Sequence, residues 1–356
     1  MKRRGVCYDV GRVLDGQNWR PELSVSERHR ELEIIGRDLH CNAVKIHGQD
    51  ISTLLATAED ALSLGLEAWL APEMWDRTAD ETLGYVIAAA SDAQRLYQRW
   101  PGRVYLSVGT ELTFFMRDIL EGATFGERLA NPGLIDRLRA GTLNEPLNEF
   151  LARASDAVRR VFGGGITYAS LPFEQVEWRR FDFVGVDLYR DATNRESFAD
   201  IVRRYVSLGR PVTVTECGCC TYRGAEDAGG QGSAIIDITA TPPRLKAPYV
   251  RDEALQAHEL TQLVALFDAA GVDGTFIHTF VQPLNAYNAD PRFDFDMASF
   301  SLVKSYANRL GGLDVPYPEV PWDARPSGVT YPDLPWEPKE SFWAVARAYE
   351  QASALP

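Results

Sequence analysis

The segment RVYLSVGTE, from Arg103 to Glu111, carries the pattern that decides the fold. Its β-branched and aromatic residues predict a buried strand, and a single carboxylate stands where that strand ends. The same arrangement returns in PVTVTE, from Pro211 to Glu216, where a threonine again precedes a terminal glutamate. Because a buried charge is costly, both glutamates require an explanation.

Strand-like segments alternate with helical patterns along the whole chain, which indicates a parallel sheet. The eight predicted strands are Arg4–Val10, Asn42–Gly48, Leu66–Glu73, Arg103–Glu111, Gly165–Ser170, Phe181–Tyr189, Pro211–Glu216 and Asp273–Phe280. Amphipathic helices are predicted to begin near Ser26, Asp50, Asp80, Leu147, Ser197, Arg251 and Lys339. Eight strands, each followed by a helix, predict an α/β fold of the (β/α)8 TIM barrel type, formed as one domain by residues 1–356.

The alternative architecture is a doubly wound open sheet, but no glycine-rich phosphate loop follows the first strand. Three predicted connections are longer than a plain barrel needs: Leu112–Asn144 after strand 4, Cys217–Val250 after strand 7 and Val281–Lys339 after strand 8. All three leave the carboxyl ends of strands, where barrel enzymes place their active sites. We therefore expect them to surround a polar pocket.

Composition excludes several classes of function. The 356 residues carry a formal net charge of −13, which disfavours nucleic acid as a partner. No apolar run approaches the length of a membrane span, and the basic start MKRRGVCYDV has no signal-peptide core, so we expect a cytoplasmic protein without membrane contact. Five cysteines, three of them in ECGCC, lack metal-ligand spacing and fit reduced thiols.

In a barrel, the ends of strands 4 and 7 lie on facing sides of the mouth, so Glu111 and Glu216 are expected to converge on one substrate. Paired carboxyl groups of this kind cleave glycosidic bonds, one as a protonated acid and the other as an ionised carboxylate. The structural alternative for either glutamate alone is an ion pair at the barrel rim. Two Thr-Glu strand ends in matching positions favour the catalytic interpretation.

These strand ends resemble those of the clan A glycoside hydrolases, which are (β/α)8 retaining enzymes. The resemblance implies that Glu111 is the acid/base and Glu216 the nucleophile, and that Tyr189 in VDLY donates a hydrogen bond to Glu216. It implies no metal and no cofactor, and a small carbohydrate as the substrate. Its motifs are short, although they cover the barrel from Arg4 to Phe280.

The chain departs from that family at several positions. Thr110 stands where the family has an asparagine that contacts the sugar 2-hydroxyl, and VKIHG provides Lys45 and His47 where the family has an arginine. The eighth strand offers His278, Phe280 and Gln282 instead of a tryptophan platform. These differences predict a divergent member with an unusual substrate.

Further substrate-binding candidates lie at or just after other strand ends. Lys45 and His47 alternate on one strand and so share a face. Trp75 could stack on a sugar ring or simply pack in the core. The remaining candidates are Tyr8, Glu73, Glu174, Trp178 and Asp187.

Together these residues predict a retaining glycosidase acting on a small soluble glycoside or oligosaccharide. One alternative is a non-catalytic carbohydrate-binding barrel or regulator of the same fold. A metal-dependent barrel hydrolase is a further alternative, but it predicts His-x-His after the first strand, and CYDVG lacks that motif.

Overall fold

The computed structural model describes residues 1–14, 16–21, 23–306 and 327–353. Eight parallel strands close into a barrel in the order β1-β8-β7-β6-β5-β4-β3-β2. They are β1 (Arg3–Asp9), β2 (Ala43–Gly48), β3 (Glu67–Pro72), β4 (Val104–Thr110), β5 (Gly165–Ser170), β6 (Val184–Asp187), β7 (Val212–Cys217) and β8 (Gly274–Ile277). The predicted TIM barrel and all eight strands are confirmed, although β6 and β8 are shorter than predicted.

In the part of the chain that the structure describes, seven long helices surround the barrel. They are α1 (Val25–Arg37), α2 (Ile51–Ser63), α3 (Ala79–Arg99), α4 (Asn144–Val161), α5 (Phe198–Val206), α6 (Glu253–Ala270) and α7 (Glu340–Ser353). The cap of α1 is Ser24, whose hydroxyl accepts from the Glu27 N–H, and α3 begins with a capping box between Thr78 and Glu81. The predicted starts at Ser26 and Asp80 are therefore about two residues late.

The connection between β5 and β6 contradicts the prediction that every strand is followed by a helix. It contains only a short 3-10 helix, Trp178–Arg180. Its segment LPFEQVEWRR has no continuous apolar stripe that could pack on the barrel, so the chain crosses this side without a helical layer.

The three long connections are confirmed by the ends of their flanking elements. Residues 111–143 contain the short helices Leu112–Phe115, Phe125–Leu129 and Leu134–Ala140. Residues 218–252 contain the helix Ala225–Ala228, a 3-10 helix at Gly229–Ile235 and a two-stranded ribbon of Ile236–Asp237 and Arg244–Leu245. In the third connection a 3-10 helix spans Phe295–Ala298, and Val303–Ser305 pairs with Trp336–Pro338; residues 307–326 of the predicted loop lie outside the described part.

Two short strands, Val13–Leu14 and Gln17–Asn18, form a hairpin between β1 and α1. This hairpin and the three long connections all follow the carboxyl ends of strands. They therefore rise on the same side of the barrel as Glu111 and Glu216.

An aromatic cluster fills the opposite, amino-terminal end of the barrel interior. The indole of Trp69 stacks on Tyr105 at 4.4 Å and contacts Phe183 and Phe276. The guanidinium of Arg3 lies over the rings of Trp69, Tyr105 and Phe183. This packing closes the floor of the barrel, so the polar side chains above it face the mouth at the carboxyl ends.

All five cysteines are free and buried, as predicted for reduced thiols. No helix within the described ranges has the length and apolar character needed to cross a membrane.

Candidate active site

Glu111 lies directly after β4, in a left-handed backbone conformation with φ 46° and ψ 43°. This conformation is uncommon for a residue with a side chain and marks stored strain, which is found mostly at functional sites. Its backbone N–H donates to the Ala169 carbonyl on β5 at 2.9 Å, and the helix Leu112–Phe115 begins at once. The sharp turn sets the half-buried Glu111 side chain at the barrel mouth.

A buried hydrogen-bond network holds this turn from behind. The Tyr168 hydroxyl accepts from the Leu112 N–H at 2.8 Å and donates to Glu174 at 2.9 Å. Glu174 also accepts from the backbone N–H groups of Thr113 and Leu171. The predicted site residue Glu174 therefore uses both oxygens to support the Glu111 turn.

Glu216 lies near the end of β7 and is bound at both carboxylate oxygens. Lys45 donates from Nζ to Oε1 at 3.3 Å, and the Tyr189 hydroxyl donates to Oε2 at 3.1 Å. The Tyr189 contact is the one that the family resemblance implies. Lys45 also donates to the Thr215 carbonyl at 3.3 Å, which fixes its ammonium beneath the carboxylate.

Two imidazoles flank Glu216. His47 Nε2 lies 3.8 Å from Glu216 Oε1, and His278 Nδ1 lies 3.5 Å from Oε2. The other nitrogen of His47, Nδ1, lies 2.6 Å from Glu73 Oε1. Burial would raise the pKa of Glu73, but its hydrogen bond with His47 and the charge of Arg12 lower it, so Glu73 accepts and His47 Nδ1 carries the proton.

Arg12 and Asp9 extend this network at the end of β1. Arg12 donates from Nε to Asp9 at 2.5 Å, and its Nη1 lies 3.8 Å from Glu73 Oε2. The Arg12 guanidinium also covers the ring of Trp19, 4.4 Å from its centre. The sequence interpretation did not identify Arg12 or Trp19; the spacing of Asp9 and Arg12 after a strand end was the only available signal.

The surroundings of Glu216 favour its ionised form. Burial alone would raise the pKa of Glu216, but His278, Lys45, His47 and Arg12 outweigh it and hold that pKa well below the usual range. Burial lowers the pKa of His278 to about 4, so this imidazole is neutral near pH 7. Burial also lowers the pKa of His47, so Lys45 and Arg12 are the permanent positive charges that act on Glu216.

The opposite shift holds for Glu111. Burial and the charges of Asp187, Glu216 and Glu174 raise the pKa of Glu111 well above its ordinary value. No side-chain hydrogen bond to Glu111 is formed within the described part of the chain. Burial also raises the pKa of Asp187 to about 8, although Thr215 donates to its Oδ1 at 2.6 Å. The pKa shifts of Glu111 and Asp187 thus favour their protonated forms, whereas that of Glu216 favours its ionised form.

Six of the predicted site residues contain a buried polar atom that lacks a hydrogen-bond partner among the described residues. A ligand rich in hydroxyl groups could satisfy such atoms. They are His47 Nε2, Glu73 Oε2, Trp75 Nε1, Thr110 Oγ1, Asp187 Oδ2 and His278 Nδ1.

Three predicted site residues lie elsewhere. Tyr8 points away from the barrel axis, because β1 turns Cys7 and Asp9 inward, and its hydroxyl donates to Glu31 at 2.5 Å. Phe280 is fully buried against Tyr8 and Trp336. Trp178 packs on Phe181 just before β6 begins, at the opposite end of the barrel from Glu216. The prediction that these three residues line the substrate site is therefore corrected.

Two further predicted substrate-binding residues are in contact with neighbouring side chains. One face of Trp75 stacks on Phe115 at 4.3 Å, so this tryptophan is part of an aromatic wall at the mouth. The side-chain oxygen of Gln282 accepts from Ser299 in the connection after β8.

One group of buried side chains at the mouth has the spacing of metal ligands. The donor atoms of Cys7, His47 and Glu216 lie within 4.8 Å of one another, which is compatible with a zinc ligand set. However, Lys45 holds its ammonium 3.3 Å from Glu216 Oε1, and its pKa is raised because Glu216 and Asp187 outweigh its burial. A cation already occupies this position, so these residues fit a metal poorly.

Comparison with solved structures identifies the class of fold. A family 5 endoglucanase from Clostridium longisporum matches with a TM-score of 0.57 and 11% identity over 98% of this chain and 96% of the other. A family 5 lichenase from Caldicellulosiruptor sp. F32, in complex with cellotetraose, matches with a TM-score of 0.52 and 11% identity over 97% and 92%. The chain therefore has the barrel fold of the clan A glycoside hydrolases.

A longer protein contains a similar barrel as one part of its chain. β-Glucuronidase 2 of Bacteroides uniformis, covalently bound to cyclophellitol-6-carboxylate aziridine, matches with a TM-score of 0.52 and 16% identity over 87% of this chain but 34% of that one. No protein-family model matches the sequence, and neither does any curated protein. At these identities the comparisons establish the fold, which agrees with the resemblance seen at the strand ends.

Proposed function

We propose that this protein is a retaining glycoside hydrolase that cleaves a small soluble glycoside or oligosaccharide by double displacement. Glu216 is the nucleophile and Glu111 the acid/base. The observation that carries the proposal is the contrast between these two carboxyl groups at the ends of β7 and β4. Lys45 and Tyr189 bind the oxygens of Glu216 and favour its ionised form, whereas the Glu111 carboxyl group has a raised pKa and no side-chain hydrogen bond within the described residues.

In the first step a Glu216 oxygen forms a bond to the anomeric carbon while the bond to the leaving oxygen breaks. Glu111 gives its proton to that oxygen, and a neutral glycosyl ester of Glu216 results. In the second step the Glu111 carboxylate takes a proton from water as the water oxygen attacks the anomeric carbon. Glu216 leaves as a carboxylate and Glu111 is protonated again.

The other site groups suggest how a sugar is held. The buried atoms without partners at His47, Thr110 and Trp75 are suited to bind hydroxyl groups. Because Glu73 fixes the proton of His47 on Nδ1, the Nε2 atom can accept a hydrogen bond from a sugar hydroxyl. These contacts would favour a neutral, polyhydroxylated substrate.

The test is turnover of a panel of aryl glycosides by the parent protein and by Glu111→Gln and Glu216→Gln. Each variant should lose about 10²-fold or more in kcat. Azide should restore activity to alanine variants at both positions, with the anomeric configuration of each azide product distinguishing nucleophile from acid/base. The matched control is Glu177→Gln, at a half-exposed glutamate that pairs with Arg179 and should leave kcat unchanged.

Two outcomes would contradict the proposal. If both glutamine variants retain the parent's turnover, the assigned mechanism is wrong. If calorimetry detects sugar binding but no aryl glycoside is cleaved, the chain is a carbohydrate-binding barrel instead.

A further inference from the structure

A third carboxyl group lies beside the two proposed catalytic glutamates and has no part in the double displacement. Asp187 ends β6 next to Glu216 in the strand register, and only 1% of its surface is exposed. Its Oδ1 accepts from the Thr215 hydroxyl at 2.6 Å, and its Oδ2 is buried without a hydrogen-bond partner among the described residues.

Thr215 links Asp187 to the buried ammonium of Lys45. The hydroxyl of Thr215 donates to Asp187, and the carbonyl of the same residue accepts from Lys45 Nζ at 3.3 Å. Lys45 is 2% exposed, and within the described ranges Glu216 is the carboxylate with which it forms an ion pair. One ammonium is therefore paired with Glu216 and linked through Thr215 to Asp187, and the two carboxyl groups belong to neighbouring strands.

Formation of a glycosyl ester would remove the negative charge of Glu216. Lys45 would then be a buried cation without its counter-ion, which is a costly arrangement. The chain has a group in place that can remove this cost, because Asp187 is held by the same residue that anchors Lys45.

We propose that Asp187 is a positioning residue that replaces Glu216 as the counter-ion of Lys45 while the glycosyl ester exists. This inference rests on the proposed function. When the bond between Glu216 and the anomeric carbon forms, the Asp187 O–H bond ionises and its proton passes to solvent water. When hydrolysis returns the charge to Glu216, Asp187 takes a proton back from water.

The charges around Asp187 support this exchange. Burial raises its pKa to about 8, and among the neighbouring groups the Lys45 ammonium opposes that rise most strongly. The negative charge of Glu216 raises the pKa of Asp187 further, so esterification of Glu216 lowers it. Titratable and hydrogen-bonding groups from six strands act on Asp187: Cys7 from β1, Lys45 from β2, Glu73 after β3, Glu111 after β4, Tyr189 after β6, and Thr215, Glu216 and Cys217 from β7.

The exchange also assists the second step. Among the neighbouring charges that raise the pKa of Glu111, that of Asp187 has the largest effect. Once ionised, Asp187 makes Glu111 a stronger base toward the attacking water. Asp187 thus acts through Lys45 and Glu111 and does not touch the reacting atoms.

The experiment counts protons during covalent labelling. The parent protein and Asp187→Asn are treated near neutral pH with 2-deoxy-2-fluoro glycosyl fluorides of the gluco, galacto and manno series, and the adduct on Glu216 is quantified by mass spectrometry. A pH-indicator dye in weak buffer reports proton release per adduct. We expect Asp187→Asn to release about one proton fewer than the parent.

Two further variants test the assignment. Lys45→Met removes the cation that needs a counter-ion, so a second change to Asn at position 187 should then have no effect on the proton count. Asp200→Asn, at an exposed aspartate on α5, should release as many protons as the parent.

Each result separates the inference from the proposed function. A Glu216 adduct with equal proton counts for the parent and Asp187→Asn overturns the counter-ion exchange alone. Absence of an adduct with all three probes overturns both. If Asp187→Asn does not fold, Thr215→Val removes the hydrogen bond that favours ionised Asp187; it must then lower the proton count, and an unchanged count overturns the inference.

Discussion

Lys45 Nζ lies 3.3 Å from Glu216 Oε1, and both side chains are more than nine-tenths buried. A buried ion pair of this kind adds little net stability, because desolvation of the two charges offsets their attraction. Its chemical consequence is larger, since the ammonium favours the ionised carboxylate that a nucleophile requires. The packing of β2 between β1 and β3 therefore positions the ammonium of Lys45 that favours the ionised form of Glu216 on β7.

The first prediction concerns the charge of Lys45. Lys45→Met should lower kcat/KM by about 10²-fold at neutral pH, because Glu216 loses its main fixed positive neighbour. The acid limb of the profile of kcat/KM against pH should also move to higher pH, since the pKa of Glu216 rises when this charge is removed. Steady-state kinetics across a pH series measures both effects.

Lys45→Arg is the matched variant, because arginine keeps the positive charge. It should restore the acid limb toward that of the parent even if kcat is only partly recovered. An unchanged acid limb in Lys45→Met would show that Lys45 does not set the ionisation of Glu216.

The second prediction concerns the turn that carries Glu111. Tyr168→Phe removes the acceptor of the Leu112 N–H and a donor to Glu174, so the free energy of unfolding should fall by about 1–3 kcal/mol. Because Leu112 follows Glu111 directly, kcat should fall while KM changes little. Chemical denaturation and steady-state kinetics measure the two effects.

Tyr105→Phe is the control for this variant, since its hydroxyl donates to the Gly102 carbonyl at the closed floor of the barrel. It should lower stability without changing kcat. Equal losses of kcat in the two variants would show that Tyr168 has no specific connection to Glu111.

Local sequence patterns were sufficient to predict the barrel and its two glutamates. Each β-branched run is long enough to form one strand, and Glu111 and Glu216 follow the runs directly, so no long-range information was needed. Lys45 and His47 share the inward face of β2 because side chains alternate along a strand.

Residues whose position depends on barrel closure could not be predicted in the same way. Tyr8 and Asp9 are adjacent at the end of β1, and only the pairing of β1 with β2 decides that Asp9 faces inward. Phe280 was assigned by continuing β8 three residues beyond its actual end at Ile277. Arg12 enters the site from an irregular turn, for which no periodic pattern exists.

The third prediction concerns substrate charge. Among the described residues, the two permanent cations that act on Glu216 are already paired, Lys45 with Glu216 and Arg12 with Asp9. A carboxylate on the reacting sugar would find no free cation in this part of the site. Aryl glucuronides should therefore have kcat/KM values about 10²-fold or more below those of the matching aryl glucosides.

The comparison should include both anomers and the galactoside and galacturonide pair, so that only the change from alcohol to carboxylate is scored. Equal rates, or a preference for the uronides, would show that a cation outside this pairing scheme binds the substrate.

The fourth prediction concerns stability against pH. Asp187 has a pKa of about 8 in the folded protein, whereas an unfolded aspartate has a pKa of about 4. Between these values the folded state binds a proton that the unfolded state does not, so this group's contribution to stability is lost as pH rises, by about 1.4 kcal/mol per pH unit.

Asp187→Asn cannot ionise and escapes that loss. The melting temperature of the variant should therefore rise relative to the parent from about pH 5 to pH 8 and then level off. Thermal unfolding of both proteins across this range measures the difference, with Asp200→Asn as the exposed control. A difference that stays constant with pH would show that Asp187 is ionised in the folded protein throughout, and it would then have no proton to release when Glu216 is esterified.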